Sequence, residues 1–443
     1  MRLKLLLYNI FLPAAWFILR LISLLNTRIS RAVSARKHIH ERWRSKLDSA
    51  EAAGITVWFH VSSVGEFLQA RPVMDLLEKS YGNDLRIALT FYSPSGIEYY
   101  NKHDRMRKNL SVRFVDYLPF DTPGNARFCL DSLRPQLIVY VKYDIWPNLL
   151  AEADSRNIPQ VLISASVPPH SKRFSGIAGW FMKTIFSRLT AIATVSDEES
   201  IKLKDFTGNM VNILSTGDIR FDQVVQRIDN PSSSIPAAIS SDPRKLLIAG
   251  STWPKDEEIV IPGFSSLTGM FHDLALVIVP HEPTPDRIAS ISDKLEQSGL
   301  SYCLLSDFNE LRWPSIQVII ADGLGYLAEL YATGSIAYVG GACTTGVHNI
   351  MEPAASGLPV LFGPRHQNAW ESKDLIRIGA AFEVSNPGEF VNVIGRMLSD
   401  DSLLTSAGQA AEDFIRSGTG AALRCANLLE RLIEKGVPDL STD

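Results

Sequence analysis

Residues 57–72 read VWFHVSSVGEFLQARP and combine a buried strand, a short polar turn and the start of a helix. The first five residues are β-branched, aromatic or histidine, which is typical of a strand inside a sheet. From Phe67 onward, apolar residues recur at helical spacing. A strand that passes into a helix is the repeating unit of a parallel α/β sheet. Its loop lies at the carboxyl edge of the sheet, where open α/β folds bind ligands.

Glu66 stands at this junction, and two interpretations of it compete. In the first, Ser63 is the N-cap of the helix and the Glu66 carboxylate accepts a hydrogen bond from the backbone N–H of Ser63. The helix dipole would then stabilise the charge by about 0.3–1 kcal/mol. In the second, Glu66 is a general base that faces a bound ligand. The local pattern alone favours the capping role.

The rest of the chain repeats the strand–helix alternation in two sets, separated by the Ser- and Pro-rich stretch QRIDNPSSSIPAAISSDPRK. The 443 residues are too many for one ordinary core. We therefore predict an α/β protein with two Rossmann-like, doubly wound domains that face each other across a cleft, as in GT-B glycosyltransferases. The predicted parts are a membrane anchor with a basic segment (residues 1–46), a first Rossmann-like domain (47–225), a linker (226–244) and a second Rossmann-like domain with closing helices (245–443). The resemblance to the GT-B architecture implies that the first domain binds an acceptor and the second a nucleotide-sugar, although the fold alone does not establish this.

Composition excludes several classes of protein. The formal net charge of −4 gives no reason to expect nucleic acid as a partner. The four cysteines are scattered, without a CxxC pair, so neither a zinc site nor a disulfide framework is indicated.

The N-terminal stretch from Leu5 to Leu25 is long and apolar enough to span a bilayer, although Asn9, Pro13 and Arg20 interrupt it. A strongly basic segment follows up to Lys46 and should remain cytoplasmic. We predict a membrane anchor that keeps the catalytic body in the cytosol. Whether the anchor spans the bilayer or lies in its interface stays open, and a buried helix of a soluble domain is the alternative.

Three polar loops follow predicted strands of the second domain. They contain Ser251 and Thr252, then Pro280 and His281, and finally the stretch VGGACTTGVHNIMEP, which holds Asn349 and Glu352. Backbone N–H groups at such strand–helix junctions suit a phosphate. We expect His348 and Asn349 to begin a helix on which Glu352, at i+3 from Asn349, accepts ribose hydroxyls. The alternative is an ordinary N-cap with its partner. No DxD motif is placed to hold a metal, so we predict no essential metal or cofactor.

Several ordered motifs resemble the 3-deoxy-D-manno-octulosonic acid (Kdo) transferases of lipopolysaccharide assembly over almost the whole chain. They are SSVGE (62–66), FYSPSG (91–96), YLPFDTPGNARFCLDSLRPQLIV (117–139), IWPNLL (145–150), TGDIRFD (216–222), GLGYLAELYATGSIAYVGG (323–341) and HNIMEPAASGLPVLFGP (348–364). Their order and spacing together are specific.

The resemblance implies an inverting transfer of Kdo from CMP-Kdo to a lipid A precursor (lipid IVA), with Glu66 as general base. A charge favoured by the helix dipole should keep Glu66 ionised. Arg220 stands where the family has a lysine, and Lys142, Tyr143 and Asp144 replace its Glu-x-Glu. Asp144 and Arg220 are therefore expected to stabilise the transition state. The resemblance also implies donor-binding residues: Ser251, Thr252, Pro280, His281, Leu324, Gly325, Tyr326, His348, Asn349, Ile350, Met351 and Glu352.

The implied partners are CMP-Kdo, the lipid A precursor and the cytoplasmic face of the inner membrane of a Gram-negative bacterium. Basic residues of the first domain, from Arg71 and Arg86 to a cluster over residues 102–108, could attract the anionic lipid. Two alternatives remain. One is another GT-B enzyme that uses a UDP-sugar, and the other is a membrane-tethered nucleotide-sugar-binding protein without catalytic activity.

Overall fold

A computed structural model describes residues 2–48, 54–102, 111–142, 144–167, 174–208, 210–230 and 235–435. It divides into two compact units, residues 1–223 with 419–443 and residues 224–418. Tyr143 and the predicted basic residues of 103–108 lie outside the described residues.

Unit 1 is built on a seven-stranded sheet whose paired neighbours all run parallel, in the order β3-β2-β1-β4-β5-β6-β7. Its strands are β1 (Ile55–Val61), β2 (Leu85–Phe91), β3 (Val112–Tyr117), β4 (Leu137–Val141), β5 (Gln160–Ala165), β6 (Ala191–Thr194) and β7 (Asn212–Ser215).

The described helices of unit 1 begin with three N-terminal ones, followed by those that connect the strands. They are α1 (Arg2–Ser23), α2 (Thr27–Ser34), α3 (Ile39–Asp48), α4 (Val64–Tyr81), α5 (Pro94–Lys102), α6 (Pro123–Leu133), α7 (Pro147–Ser155), α8 (Gly176–Phe186) and α9 (Asp197–Thr207). Helix α10 (Ile219–Asp229) crosses the boundary between the units.

Unit 2 has a second parallel sheet of seven strands, in the order β10-β11-β9-β8-β12-β13-β14. Its strands are β8 (Lys245–Thr252), β9 (Leu274–Pro280), β10 (Tyr302–Leu304), β11 (Val318–Ile320), β12 (Ile336–Val339), β13 (Val360–Phe362) and β14 (Ala381–Glu383). The helices are α11 (Ala237–Ser240), α12 (Pro254–Thr268), α13 (Pro285–Gln297), α14 (Leu327–Tyr331), α15 (Met351–Ala355), α16 (Glu371–Arg377), α17 (Pro387–Ser399) and α18 (Asp401–Ser417).

The central strands are apolar on both faces because helices cover both sides of each sheet. In unit 1 the alternate residues of β1 enter two separate cores, with Val57 and Phe59 in one and Trp58 in the other. The predicted α/β class with two doubly wound domains is confirmed. The sequence reading missed β14, a three-residue edge strand whose sequence Ala-Phe-Glu is too short to show a period.

The last helix, α19 (Ala421–Lys435), differs from the prediction, which assigned it to the second domain. Leu429 and Leu432 are buried in the core that also contains Val57 of β1 and Val73 of α4. Asp222 fixes its start, since the carboxylate accepts the N–H groups of Gly420 (2.8 Å) and Ala422 (3.2 Å). Residues 419–435 therefore complete unit 1.

The basic segment also differs from the prediction, because much of it belongs to the fold of unit 1. Arg36 is buried and donates to the backbone oxygens of Leu118 and Tyr92, each at 2.8 Å. Arg42 and Lys46 both pair with the buried Asp116, at 2.8 and 2.9 Å. These three cations bind partners within the protein. Only the other, exposed basic residues of the segment are available to bind lipid.

Candidate functional site

The loop between β1 and α4 holds Glu66 in two local hydrogen bonds. Ser63 is the N-cap, and its hydroxyl accepts from the Glu66 N–H at 3.4 Å. The carboxylate Oε2 accepts from the backbone N–H of Ser62 at 2.5 Å, one residue earlier than the predicted partner Ser63. Among the described residues, none donates a hydrogen bond to Oε1. Glu66 thus caps its own helix with one oxygen and keeps a second oxygen as a proton acceptor.

Burial raises the pKa of Glu66 above its ordinary value, because the residue is only 7% exposed. The Ser62 N–H opposes this increase, Asp144 adds to it and Lys142 opposes it. The sequence analysis considered only the helix dipole, which favours the charged form. Desolvation of the carboxylate acts in the opposite direction. A base with a raised pKa is a stronger proton acceptor than an exposed glutamate.

Lys142 follows β4 and has a left-handed backbone, with φ of +64°. This conformation costs a lysine about 1 kcal/mol and turns the chain sharply at the sheet edge. The pKa of its ammonium group is lowered by burial and by Arg220, while Glu66 and Asp218 oppose that effect. Lys142 is therefore within electrostatic range of both Glu66 and Arg220. Asp144 is within range of Glu66, so the three residues predicted as catalytic are linked electrostatically, Arg220 through Lys142.

Arg220 lies in the first turn of α10, and Asp218 holds its guanidinium. The Asp218 carboxylate accepts from Arg220 Nε at 2.9 Å and pairs with a terminal nitrogen at 2.8 Å. Asp218 itself is buried. The bond through Nε fixes the direction of the guanidinium.

The loop that carries Lys142 and Asp144 is held in place by aromatic side chains next to it. Trp146 Nε1 donates to His60 Nε2 at 2.9 Å and its ring stacks on Tyr92, with centroids 4.8 Å apart. Burial lowers the pKa of His60 to about 3, so this histidine is neutral and accepts the bond. Sequence reasoning did not identify His60 or Trp146 as supports, because the contact joins two different strand ends.

In unit 2, the loops after β8 and β12 approach each other closely. A Cβ on Gly340 would lie 2.3 Å from the Ser251 carbonyl oxygen, so only glycine fits. The buried Asp256 accepts the N–H groups of Trp253 and Gly341, each at 2.9 Å. Asp256 lies in the first turn of α12. The structure shows that it ties two of the predicted donor loops together.

Three aromatic rings stack at this edge of unit 2. The His281 ring lies 4.3 Å from His348 and 4.9 Å from Trp253. Trp253 Nε1 donates to His348 Nε2 at 2.9 Å. Burial lowers the pKa of His348, and His281 lowers it further, which keeps the accepting nitrogen unprotonated. The structure thus brings together His281 and His348, and it adds Trp253, which sequence reasoning missed. The sequence feature that could have identified Trp253 is an aromatic residue directly after the strand that ends in Gly-Ser-Thr.

Glu352 is buried and forms an ion pair with Arg227 at 2.9 Å. Burial raises the pKa of Glu352, while Arg227 opposes that effect and Glu329 adds to it. The helix α15 begins at Met351, later than the predicted start at His348 and Asn349. Ile350 is the N-cap, and Asn349 Oδ1, one residue earlier, accepts the Met351 N–H at 3.1 Å.

The remaining predicted donor residues differ in accessibility. Leu324 is exposed and precedes Gly325, which has a left-handed φ of +99°, and Tyr326, the N-cap of α14. The side chains of Ile350 and Met351 are buried. Those two residues could therefore contact a ligand only through their backbone.

Thr252 and Pro280 are buried at neighbouring strand ends of unit 2. The His281 N–H donates to the Thr252 carbonyl oxygen at 3.1 Å, which joins the two loops. Ser251 has a left-handed φ of +54°, as Lys142 does in unit 1. The donor roles of all these residues stay predictions, and so does the cleft between the domains.

Comparison with known proteins shows which proteins this chain is similar to. Residues 37–223 match the family model described as 3-deoxy-D-manno-octulosonic-acid transferase (kdotransferase), and this range contains Glu66, Asp144 and Arg220. In this range the chain is similar to the Kdo transferases. It is 26% identical over 390 residues to a 3-deoxy-D-manno-octulosonic acid transferase of Haemophilus influenzae, covering 86% of this chain and 88% of the relative. The corresponding Aquifex aeolicus enzyme is 27% identical over 346 residues, covering 77% of this chain and 86% of that one.

Solved structures confirm the GT-B fold of this chain. UDP-GlcNAc 2-epimerase from Neisseria meningitidis superposes with a TM-score of 0.59 at 13% identity, covering 85% of this chain and all of that chain. MurG from Acinetobacter baumannii gives 0.51 at 14% identity, covering 85% of this chain and 99% of that one. At such identity, the likeness concerns the fold alone.

Proposed function

We propose that this chain transfers Kdo from CMP-Kdo to a hydroxyl of a lipid A precursor, lipid IVA, with inversion at the anomeric carbon. The proposal places the reaction at the cytoplasmic face of the inner membrane of a Gram-negative bacterium. It is supported by the family match and by the curated Kdo transferases that align with most of the chain. The observation that carries it is the Glu66 carboxylate, with one oxygen bound to Ser62 and the other without a protein donor among the described residues.

In the proposed step, Glu66 Oε1 takes the proton of the acceptor hydroxyl. The oxygen forms a bond to the anomeric carbon from one face while the bond from that carbon to the CMP phosphate oxygen breaks on the other. CMP leaves with the bonding electrons, and Glu66 later releases the proton to water. The transfer requires Glu66 within about 3 Å of the attacking oxygen. Lys142 and Arg220 would stabilise the developing negative charge.

The donor would bind to unit 2. The rings of His281, His348 and Trp253 offer a flat surface for a base or a sugar, while the backbone N–H groups after β8 and β12 suit a phosphate. Glu352 would accept ribose hydroxyls once its pairing with Arg227 is shared with the ligand. We also propose that transfer needs no essential metal.

The membrane role rests on α1. Its segment Leu3–Ser23 is long and apolar enough to cross a bilayer by length and composition. The exposed basic residues next to it would attract anionic lipid headgroups. The acceptor lipid would then diffuse in the same surface to which the protein is held.

The decisive experiment incubates the purified full chain with freshly generated CMP-Kdo and lipid IVA and weighs the products by mass spectrometry. The wild type should add the mass of Kdo, and Glu66→Gln should lose at least 99% of the transfer while binding CMP normally. Glu98→Gln, an exposed carboxylate of the same unit, is the matched control and should stay active. Full transfer by Glu66→Gln would remove Glu66 as base.

A GT-B enzyme that uses a UDP-sugar remains the second candidate. Thermal shifts with CMP, UDP and GDP separate the two, because the proposal expects CMP to stabilise the chain most. A larger shift with UDP would favour the second candidate. A chain that binds CMP but never transfers a sugar would instead be a binding protein.

A further inference from the structure

Helix α1 lies along unit 1 over much of its length. At one end, the Lys4 ammonium donates to the Trp180 carbonyl oxygen of α8 at 2.8 Å. At the other, the Trp16 ring packs on Phe120, with centroids 4.0 Å apart. These contacts are twelve residues apart, which is about 18 Å along a helix. The helix is thus held on one side by the protein.

The outward side of α1 is apolar and exposed. Leu6 is 56% exposed and Ile10 is 59% exposed, and Phe17 and Ile18 continue the same surface. A helix that is docked on one side and apolar on the other suits the interface of a bilayer, with its axis in the membrane plane.

The side of α1 that contacts the protein contains a pair of hydrogen-bonded amides, Asn9 and Asn148. Membrane binding by an apolar helix does not require such a pair. Asn9 Nδ2 donates to Asn148 Oδ1 at 3.0 Å, and Asn148 Nδ2 donates to Asn9 Oδ1 at 2.8 Å. The neighbouring Tyr8 hydroxyl faces the Asp121 carboxylate. An amide in an otherwise apolar helix costs free energy unless it is paired, so the pair gives Asn9 one preferred position.

Asn148 lies in the first turn of α7, and this helix end is fixed by Asp121. The carboxylate accepts the backbone N–H groups of Asn148 at 2.9 Å and Leu149 at 3.0 Å. Asn148 Nδ2 also donates to the Asp121 carbonyl oxygen at 2.7 Å. Burial raises the pKa of Asp121 to about 6, because its surroundings disfavour the charged form.

Helix α7 follows directly on the loop that carries Lys142 and Asp144. At its first residue, the loop is held by the Lys142 N–H, which donates to the Ile163 carbonyl oxygen at 2.8 Å. At Trp146, the loop is held by the hydrogen bond from Trp146 Nε1 to His60 Nε2. The start of α7 is therefore the third fixed point of a loop whose charges act on Glu66.

We propose that Asn9 of the membrane helix is a positioning residue, which through Asn148 and the start of α7 holds Lys142 and residues 144–146 beside Glu66. This inference rests on the proposed function for its catalytic meaning and on the geometry for its structural part. The anchor is then a part of the acceptor site as well as a tether. Protein that has lost its docked α1 would bind CMP normally but transfer slowly.

The test compares Asn9→Leu with Leu6→Asn in the full-length protein, in detergent and on vesicles of phosphatidylethanolamine with phosphatidylglycerol. Asn9→Leu keeps the apolar helix but removes the amide pair, whereas Leu6→Asn adds an amide on the outward side. Hydrogen–deuterium exchange of residues 144–149 reports the loop, and exchange of β1 serves as the internal reference for folding.

We expect Asn9→Leu to exchange at least tenfold faster at residues 144–149, with β1 and vesicle binding unchanged. Its kcat should fall about tenfold, with KM for CMP-Kdo unchanged. Asn148→Leu also loses the bond to the Asp121 carbonyl oxygen, so it should lose at least as much as Asn9→Leu. The double variant should lose no more than Asn148→Leu alone. Leu6→Asn should weaken vesicle binding while leaving loop exchange and kcat with detergent-dispersed acceptor at wild-type values.

Unchanged exchange at residues 144–149 in Asn9→Leu would overturn the positioning role, whatever the transfer assay gives. An equal fall of kcat in Asn9→Leu and Leu6→Asn would also overturn it, because membrane affinity would then be the cause. A wild-type chain that transfers no Kdo would refute the proposed function instead, and it would leave the exchange result to decide the position of the loop.

Discussion

The placement of α19 on unit 1 predicts a strong effect of one leucine and almost none of another on the same helix. Leu429 is fully buried in the core next to β1, whereas Leu423 is 52% exposed. Leu429→Ala removes three buried carbon atoms, which costs about 2.4 kcal/mol at about 0.8 kcal/mol each. The cavity that remains raises the expected loss to about 2–5 kcal/mol. Leu423→Ala should change the stability by less than about 0.5 kcal/mol.

The assay is urea unfolding of the full chain, followed by hydrogen–deuterium exchange separately in β1 for unit 1 and in β8 for unit 2. Leu429→Ala should lower the midpoint of the β1 transition and leave that of β8 near the wild-type value. A typical domain has a stability of about 5–15 kcal/mol, so the shift is large enough to measure. The reasoning would be refuted by a shift in β8 alone, or by equal effects of the two leucine variants.

Three further outcomes follow from the geometry. Lys142→Met removes a positive charge beside Glu66 and should raise the pKa of this carboxylate further. Because activity is lost as the pH falls through that pKa, the acid limb of the kcat/KM profile should move up by roughly one pH unit. An unmoved limb would exclude an effect of Lys142 on Glu66. Gly340→Ala brings a Cβ to 2.3 Å from the Ser251 carbonyl oxygen and should weaken CMP binding about tenfold, as measured by calorimetry. Gly269→Ala should leave CMP binding unchanged. Trp253→Phe removes the bond to neutral His348, so the pKa of that histidine should rise in an NMR titration; no change would refute the bond.

Local patterns carried much of the fold and part of the site. The alternating strands and helices predicted two parallel sheets, because each hydrophobic period reports how an element is covered. Ser63 at the start of α4 was predicted as an N-cap, and its hydroxyl does accept the Glu66 N–H. Such features depend on residues within one turn of each other, which a sequence displays directly.

Contacts between distant residues could not be predicted in this way. The Trp146–His60 bond and the Asp256 bond to Gly341 each join residues more than 80 positions apart. Nothing in the local pattern of either partner names the other. The raised pKa of Glu66 belongs here too, for it depends on burial among side chains from other segments.

The sequence by itself determined that α19 is amphipathic and that residues 27–48 are basic, but not what those residues contact. An apolar helix face requires burial without specifying against which sheet, and an arginine such as Arg36 can be solvated or can satisfy buried carbonyl groups equally well. The tertiary structure decided both cases, placing α19 against α4, in a core shared with β1, and Arg36 on the carbonyl oxygens of Leu118 and Tyr92. The physical reason is that periodicity fixes which face is buried, whereas only complementary packing of distant segments fixes the partner.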